Sequence, residues 1–98
     1  MTRGIARLGD TTHGRCKIHD NKEFSGTIIS ASADTDCNGR GVARLGDTVL
    51  SDCGHTGTII SASADTTCNN RGVARLGDNT AGDYIATIIS ASPDSTCN

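Results

Sequence analysis

The chain has 98 residues, a formal net charge of −2, five cysteines, three histidines, one Phe, one Tyr and no Trp. That length sets one domain with a modest core of Ile, Val, Leu, Ala and Cys, so a metal, disulfides or a partner is expected to add stability. The slight negative charge gives no nucleic-acid footprint, no apolar run reaches the ~18 residues of a membrane span, and the N-terminus carries no secretion signal.

In chain order, Gly4-Ile5-Ala6-Arg7-Leu8 reads as a short strand broken by Gly9-Asp10, with Ile5 and Arg7 on one face and Ala6 and Leu8 on the other. Residues 11–26 form an insert. Thr27 to Ser32 is a β-rich return, and Asp34 to Gly39 is turn chemistry in which Asn38-Gly39 signals a hairpin. Arg40 starts the pattern again, with an insert over 48–57, a return from Thr58 to Ser63 and Asn69-Asn70 at the turn. Arg71 starts it once more, with an insert over 79–86, a return from Thr87 to Ser92 and Pro93 in the last turn. No window carries sustained helical periodicity.

The chain is thus three units, approximately 3–39, 40–70 and 71–98, each opening on Arg-Gly-Ile/Val-Ala-Arg-Leu-Gly-Asp. A unit of about 30 residues cannot bury a core alone. The units either stack into a linear β-solenoid or close on themselves. A linear stack asks for distinct capping rungs. Here no unit reads as a cap, and the chain starts at the head of one unit and stops at the tail of another. Closure is therefore expected: an all-β, pseudo-threefold assembly of three β-repeats with short turns and little or no helix. The inserts would gather at one end and the turns at the other. The equivalent Cys37, Cys68 and Cys97 read as reduced, buried small apolar residues of a chain assembled in a reducing cytosol. Asp10, Asp47 and Asp78 read as turn caps rather than calcium ligands, because the nonapeptide spacing of calcium-binding solenoids is missing.

All three histidines, His13, His19 and His55, fall in inserts, together with Cys16 and Cys53. Closure would bring these side chains to one apex. Neutral imidazole and thiolate suit zinc or iron, and four ligands fill a tetrahedron. His13-x-x-Cys16 and Cys53-x-His55 have short ligand spacings. A full protein set leaves no open position for water or substrate, as in a structural site. A thiol–imidazole pair of Cys53 and His55 is the enzymatic alternative. Adjacent residues are not the usual source of such a pair, and so small a chain has little room for a cleft, so no enzymatic activity is expected.

Three copies of the glycine-flanked Ala-Arg-Leu-Gly-Asp motif, Thr12-His13-Gly14 after the first and the Cys53–His55 loop after the second resemble the PAAR-repeat proteins over nearly the whole chain. The name-giving Pro-Ala-Ala-Arg is Gly-Ile-Ala-Arg or Gly-Val-Ala-Arg here. The resemblance implies a small sharp cone that caps a trimeric β-helical spike of a contractile phage tail or type VI secretion system and pierces a target cell envelope in transient contact. It also implies one structural metal near the tip held by three histidines and one cysteine. These map onto His13, His19, His55 and Cys53, with Cys16 as the alternative thiolate and zinc ahead of iron. With no toxin-like extension, the expected location is a virion tail tip assembled in the host cytoplasm, with export by a type VI system as the alternative. The threefold repeat predicts one monomer per trimer, docking through a base built around Ile28, Ile59, Ile88 and their neighbours. The alternative function is a β-solenoid binding module without a spike partner.

Overall fold

The computed structural model describes residues 3–33, 35–37, 39–64, 66–92 and 96–97, the last pair by backbone alone. The first unit contains β1 (Arg3–Gly4), β2 (Thr11–Cys16), a 3-10 turn (Lys17–His19), β3 (Lys22–Ile28) and β4 (Asp36–Cys37). The second contains β5 (Arg40–Gly41), β6 (Thr48–Ser51), β7 (Thr56–Ile59) and β8 (Thr67–Cys68). The third contains β9 (Arg71–Gly72), β10 (Thr80–Gly82), β11 (Tyr84–Ile88) and β12 (Thr96–Cys97).

Each insert, together with the start of the return after it, folds into a β-hairpin rather than a loop. The three hairpins form one antiparallel sheet in the order β10-β7-β6-β3-β2-β11. The outer strands β10 and β11 meet through their own turn and the Asn79–Thr87 bridge, so the sheet nearly closes into a barrel. All three hairpin turns lie at one end of it. The returns leave the ladder at Ile28, Ile59 and Ile88, earlier than the β-rich runs suggest. Beyond them the chain runs beside the next unit: the N–H groups of Ile29, Ile60 and Ile89 donate to the carbonyls of Thr48, Asn79 and Thr11, and those of Ser32, Ser63 and Ser92 to the carbonyls of Val42, Val73 and Ile5, each 2.9 Å.

At the opposite end the units close as a ring. β4 pairs with β5, β8 with β9 and β12 with β1, all antiparallel. Cys37↔Arg40, Cys68↔Arg71 and Cys97↔Arg3 are the same register, so the last strand completes for the first unit what β4 and β8 do for the others. Asn69 and Asn70 have φ of 54° and 65°, which makes the middle hairpin a type I′ turn. Around the axis, Ala6 N–H donates to the Ala74 carbonyl, Ala74 to Ala43 and Ala43 to Ala6, at 2.9, 2.9 and 3.0 Å. This cycle has no free end, so the repeats are a closed ring and not a stack of rungs.

The interior is small. Ala6, Ala43 and Ala74 line the axis, and Ile28, Val49, Ile59, Tyr84, Ala86 and Ile88 fill the barrel. Tyr84, fully buried, occupies space left by the absent side chain of Gly26, where a Cβ would lie 2.8 Å from its ring. A second cluster at the base joins Cys37, Val42, Cys68 and Val73, with Ile5 packed against it. Cys37 and Cys68 are buried there, as expected; the Cys97 side chain and Pro93 lie outside the described residues.

Two sequence expectations change. Ile28, Ile59 and Ile88 are only 1% exposed each and serve as barrel core, not docking surface. Side chains alternate along an extended chain, so the step to Ile29, Ile60 and Ile89 turns the next apolar residue outward, at 47%, 57% and 53% exposed. Ala6 and Leu8 do not share a face either: Ala6 is buried while Leu8, already in the turn, is 40% exposed.

The waist between base and barrel is ionic. Arg7, Arg44 and Arg75 each grip the aspartate three residues on, through Nε at 2.8, 2.9 and 2.8 Å and again through a terminal nitrogen. The same carboxylates accept the backbone N–H of Arg7, Arg44 and Arg75 at 2.7, 2.7 and 2.8 Å, so the turn-capping role and the ion pair coexist. Ser90, Ser30 and Ser61 donate to the other oxygen of Asp10, Asp47 and Asp78. Gly9, Gly46 and Gly77, with φ near 90° (88°, 92° and 90°), make this turn possible, because a side chain there would be strained.

Candidate metal centre

Strand alternation decides which insert side chains reach the tip interior. On β2, Thr12 and Cys16 are buried, while His13 and Arg15 point out. His13 and Cys16 are an odd number of residues apart, so one strand cannot present both to the same side. After Cys16 the chain turns through Lys17–His19 and closes over Asp20 and Asn21, both left-handed with φ of 56° and 59°. That turn carries His19 back over the barrel mouth. In the second hairpin, Gly54 at φ 93° allows the tight turn that sets Cys53 Sγ 3.5 Å from His55 Nδ1.

The result is a group of four ligand atoms, from Cys16, His19, Cys53 and His55, all within 4.8 Å of one another. Cys16 Sγ lies 3.3 Å from His19 Nδ1 and 3.4 Å from His55 Nδ1. A tetrahedron with metal–sulfur and metal–nitrogen bonds of about 2.3 and 2.05 Å has sulfur–nitrogen edges of about 3.5 Å, so these spacings fit one metal ion between the four atoms. Both imidazoles face the group through Nδ1; a metal ion held there would leave the ring protons on Nε2. His19 is further positioned by Phe24, ring centroids 5.5 Å apart and edge-on, and by the His55 ring at 5.1 Å.

The two thiols differ. Burial pushes the Cys16 thiol up, and its contact with Cys53 adds to this against the backbone at Ile18 and His19. Burial also opposes ionisation of Cys53, but hydrogen bonds from Ser51, the backbone at His55, the Cys16 thiol and the His55 ring prevail and bring it down to about 6. One proton shared on the Cys16 side of a thiol–thiolate pair accounts for both directions. A metal ion would displace that proton and hold both sulfurs as thiolates. Below the group, the Tyr84 hydroxyl bonds the Phe24 carbonyl at 3.0 Å and Thr12 Oγ1 at 3.0 Å, closing the barrel under the tip.

Of the residues singled out from the sequence, His19, Cys53 and His55 come together, and Cys16 joins them. His13 does not. It sits on the outer face with Nε2 3.2 Å from Glu23 Oε1, both side chains largely exposed (48% and 65%). The third hairpin brings no ligand, but the Asp83 carbonyl accepts the Lys17 N–H at 2.8 Å and so ties it to the turn that carries His19.

No curated protein matches the chain. The family model for the PAAR motif matches residues 18–90, a span that holds the second unit, most of the third, the hairpin return of the first and three of the four clustered ligands. With the closed threefold ring and the Cys/His group at its hairpin end, this match shows that the chain belongs to the PAAR motif family.

Proposed function

We propose that this protein is a spike tip: a single chain that caps the blunt end of a trimeric β-helical protein, one monomer per trimer, and presents a metal-locked point. Membership of the PAAR motif family supports a spike-tip role in a phage tail or type VI secretion system. The observation that carries the rest is the closed ring, in which Ala6, Ala43 and Ala74 are bonded head to tail and the last strand pairs with the first. A monomer with three equivalent sectors matches a threefold partner at three copies of one interface. The trimer's exposed strand ends, otherwise open to edge pairing, would be covered.

The exposed apolar side chains suited to that contact are Ile29, Ile60 and Ile89, and with them Leu8, Leu45 and Leu76 at 39–40% exposure. Both sets lie where the chain enters or leaves the barrel, at the end away from the hairpin turns. The metal reading assigns Cys16, His19, Cys53 and His55 to one structural ion. Zinc suits that donor set best and iron is the alternative. The ion's work is mechanical, since it joins two hairpins where no apolar core reaches. The proposed location is a virion tail tip assembled in the host cytoplasm or, alternatively, a secreted type VI spike, with brief contact at the target envelope.

The test is stoichiometry. Mixing the protein with the cognate trimeric spike and weighing the complex by light scattering should give one chain per trimer. Three chains per trimer, or no complex, overturns the reading. Ile60→Asp should weaken docking while the fold persists, because Ile60 is 57% exposed. Ile59→Asp should unfold the protein, because Ile59 is 1% exposed within the barrel.

A further inference from the structure

The tip brings two sulfurs and two imidazoles into one group. Cys16 ends β2 in the first hairpin, and Cys53 sits in the turn of the second. Their Sγ atoms belong to the same four-atom group, within 4.8 Å. They lie in separate hairpins, and Cys37 and Cys68 belong to the base cluster at the other end. A disulfide needs the sulfurs to approach to about 2.05 Å. Cys53 lies in a short turn beside Gly54, at the end of the molecule farthest from the base, where a small backbone shift disturbs no ladder. Access differs too: Cys16 is fully buried, whereas Cys53 is partly exposed.

We infer that Cys16 and Cys53 form a redox-sensitive lock in which an intramolecular disulfide replaces the metal as the tie between the first two hairpins. The oxidant is a small-molecule disulfide such as oxidised glutathione. The partly exposed Cys53, as its thiolate, attacks one oxidant sulfur, breaks that S–S bond and releases one small thiolate. Cys16 then gives up its proton and attacks the Cys53 sulfur, forming the Cys16–Cys53 bond and expelling the second small thiolate. The two protein sulfurs lose two electrons, the oxidant gains them, and the protons leave on the released thiols. Neither sulfur then remains a thiolate ligand, so a bound ion is released. The disulfide itself needs only the two sulfurs. Its coupling to metal release rests on the metal reading above, and the two are tested separately.

The experiment treats the full chain with oxidised glutathione in two forms, zinc-loaded and chelator-stripped, and follows intact mass, non-reducing peptide maps and free zinc by a colorimetric indicator. The stripped protein should lose two hydrogens and show a Cys16-to-Cys53 cross-link. It should then melt closer to the zinc-loaded form than to the reduced stripped form. Cys16→Ser should stop at a lasting glutathione adduct on Cys53, which identifies Cys53 as the attacking and Cys16 as the resolving residue. The zinc-loaded protein should react more slowly and release its zinc as the cross-link forms. A lasting adduct in the unsubstituted chain, or a cross-link through Cys37 or Cys68, overturns the lock. A correct cross-link with no zinc bound beforehand keeps the lock and defeats the metal reading instead.

Discussion

The waist and the tip of this small protein follow opposite rules. At the waist each Arg–Asp pair, each capped turn and each serine contact occurs three times with nearly the same geometry, the arginine Nε to carboxylate distances being 2.8, 2.9 and 2.8 Å. At the tip nothing repeats: the first hairpin supplies Cys16 and His19, the second Cys53 and His55, and the third no ligand. The contrast has a geometric cause. Three equal sectors offer side chains in multiples of three, so a group of four, two from each of two hairpins, departs from the threefold rule. The threefold part closes the ring. The asymmetric part is confined to hairpin ends, where inserts of unequal length cost the barrel little.

The sharpest way to break the symmetric half is to remove one carboxylate. Asp47 is 3% exposed and sits between the guanidinium of Arg44 and, at 3.5 Å, that of Arg71. Asp47→Ala leaves both cations facing a cavity and the turn uncapped, and should cost roughly 3–5 kcal/mol in urea unfolding. Asp10→Ala and Asp78→Ala should cost about the same, because Arg40 and Arg3 stand at the same 3.5 Å in those sectors. Strongly unequal losses would show that the sectors are not energetically equivalent.

The asymmetric half is broken by taking the metal away. If the ion binds only the folded chain, it contributes about 2.7 kcal/mol at a free concentration one hundredfold above Kd. A chelator should therefore lower the melting temperature, and added zinc should restore it. Cys53→Ser or His19→Ala should abolish most of that difference between chelated and zinc-loaded protein. Acid should act like the chelator, because protons compete for both sulfurs. Without the ion, burial pushes the Cys16 thiol up while Cys53 is brought down to about 6, so binding must displace the Cys16 proton and, below about 6, the Cys53 proton as well. Melting curves that ignore chelator and zinc alike would mean the Cys/His group is merely packed.

What the sequence reveals follows the same division. The closed all-β ring is legible because repetition is a global signal: three nearly identical blocks leave few topologies. The tip is only partly legible, because its residues occur once and their directions depend on local strand phase. Reading 11–26 as an insert hides the alternation that buries Thr12 and Cys16 and turns His13 outward. Had that stretch been read as a hairpin arm, the spacing of His13 and Cys16 would already have separated them. The same one-residue phase separates Ile59 in the barrel from Ile60 on its surface. Composition names the actors here, but the period of two decides the face.

The smallest predicted effect tests that phase most directly. His13 follows the first Gly-Asp turn in the Thr-His-Gly sequence that family resemblance marks as a ligand position, yet its ring lies outside, beside Glu23. An exposed pair of this kind contributes little, because solvent screens it and both side chains lose freedom in forming it. His13→Ala should thus change unfolding stability by no more than about 0.5 kcal/mol. It should leave the zinc content at the unsubstituted value and the response to chelator intact. His19→Ala, six positions later in the same hairpin, removes a group-facing Nδ1 and should lose zinc under the same conditions. The pair of variants is read by elemental analysis of protein purified without a metal-affinity tag. If His13→Ala empties the site and His19→Ala does not, the ligand set is the one implied by resemblance, and the outward phase of His13 on β2 is not the one the metal selects.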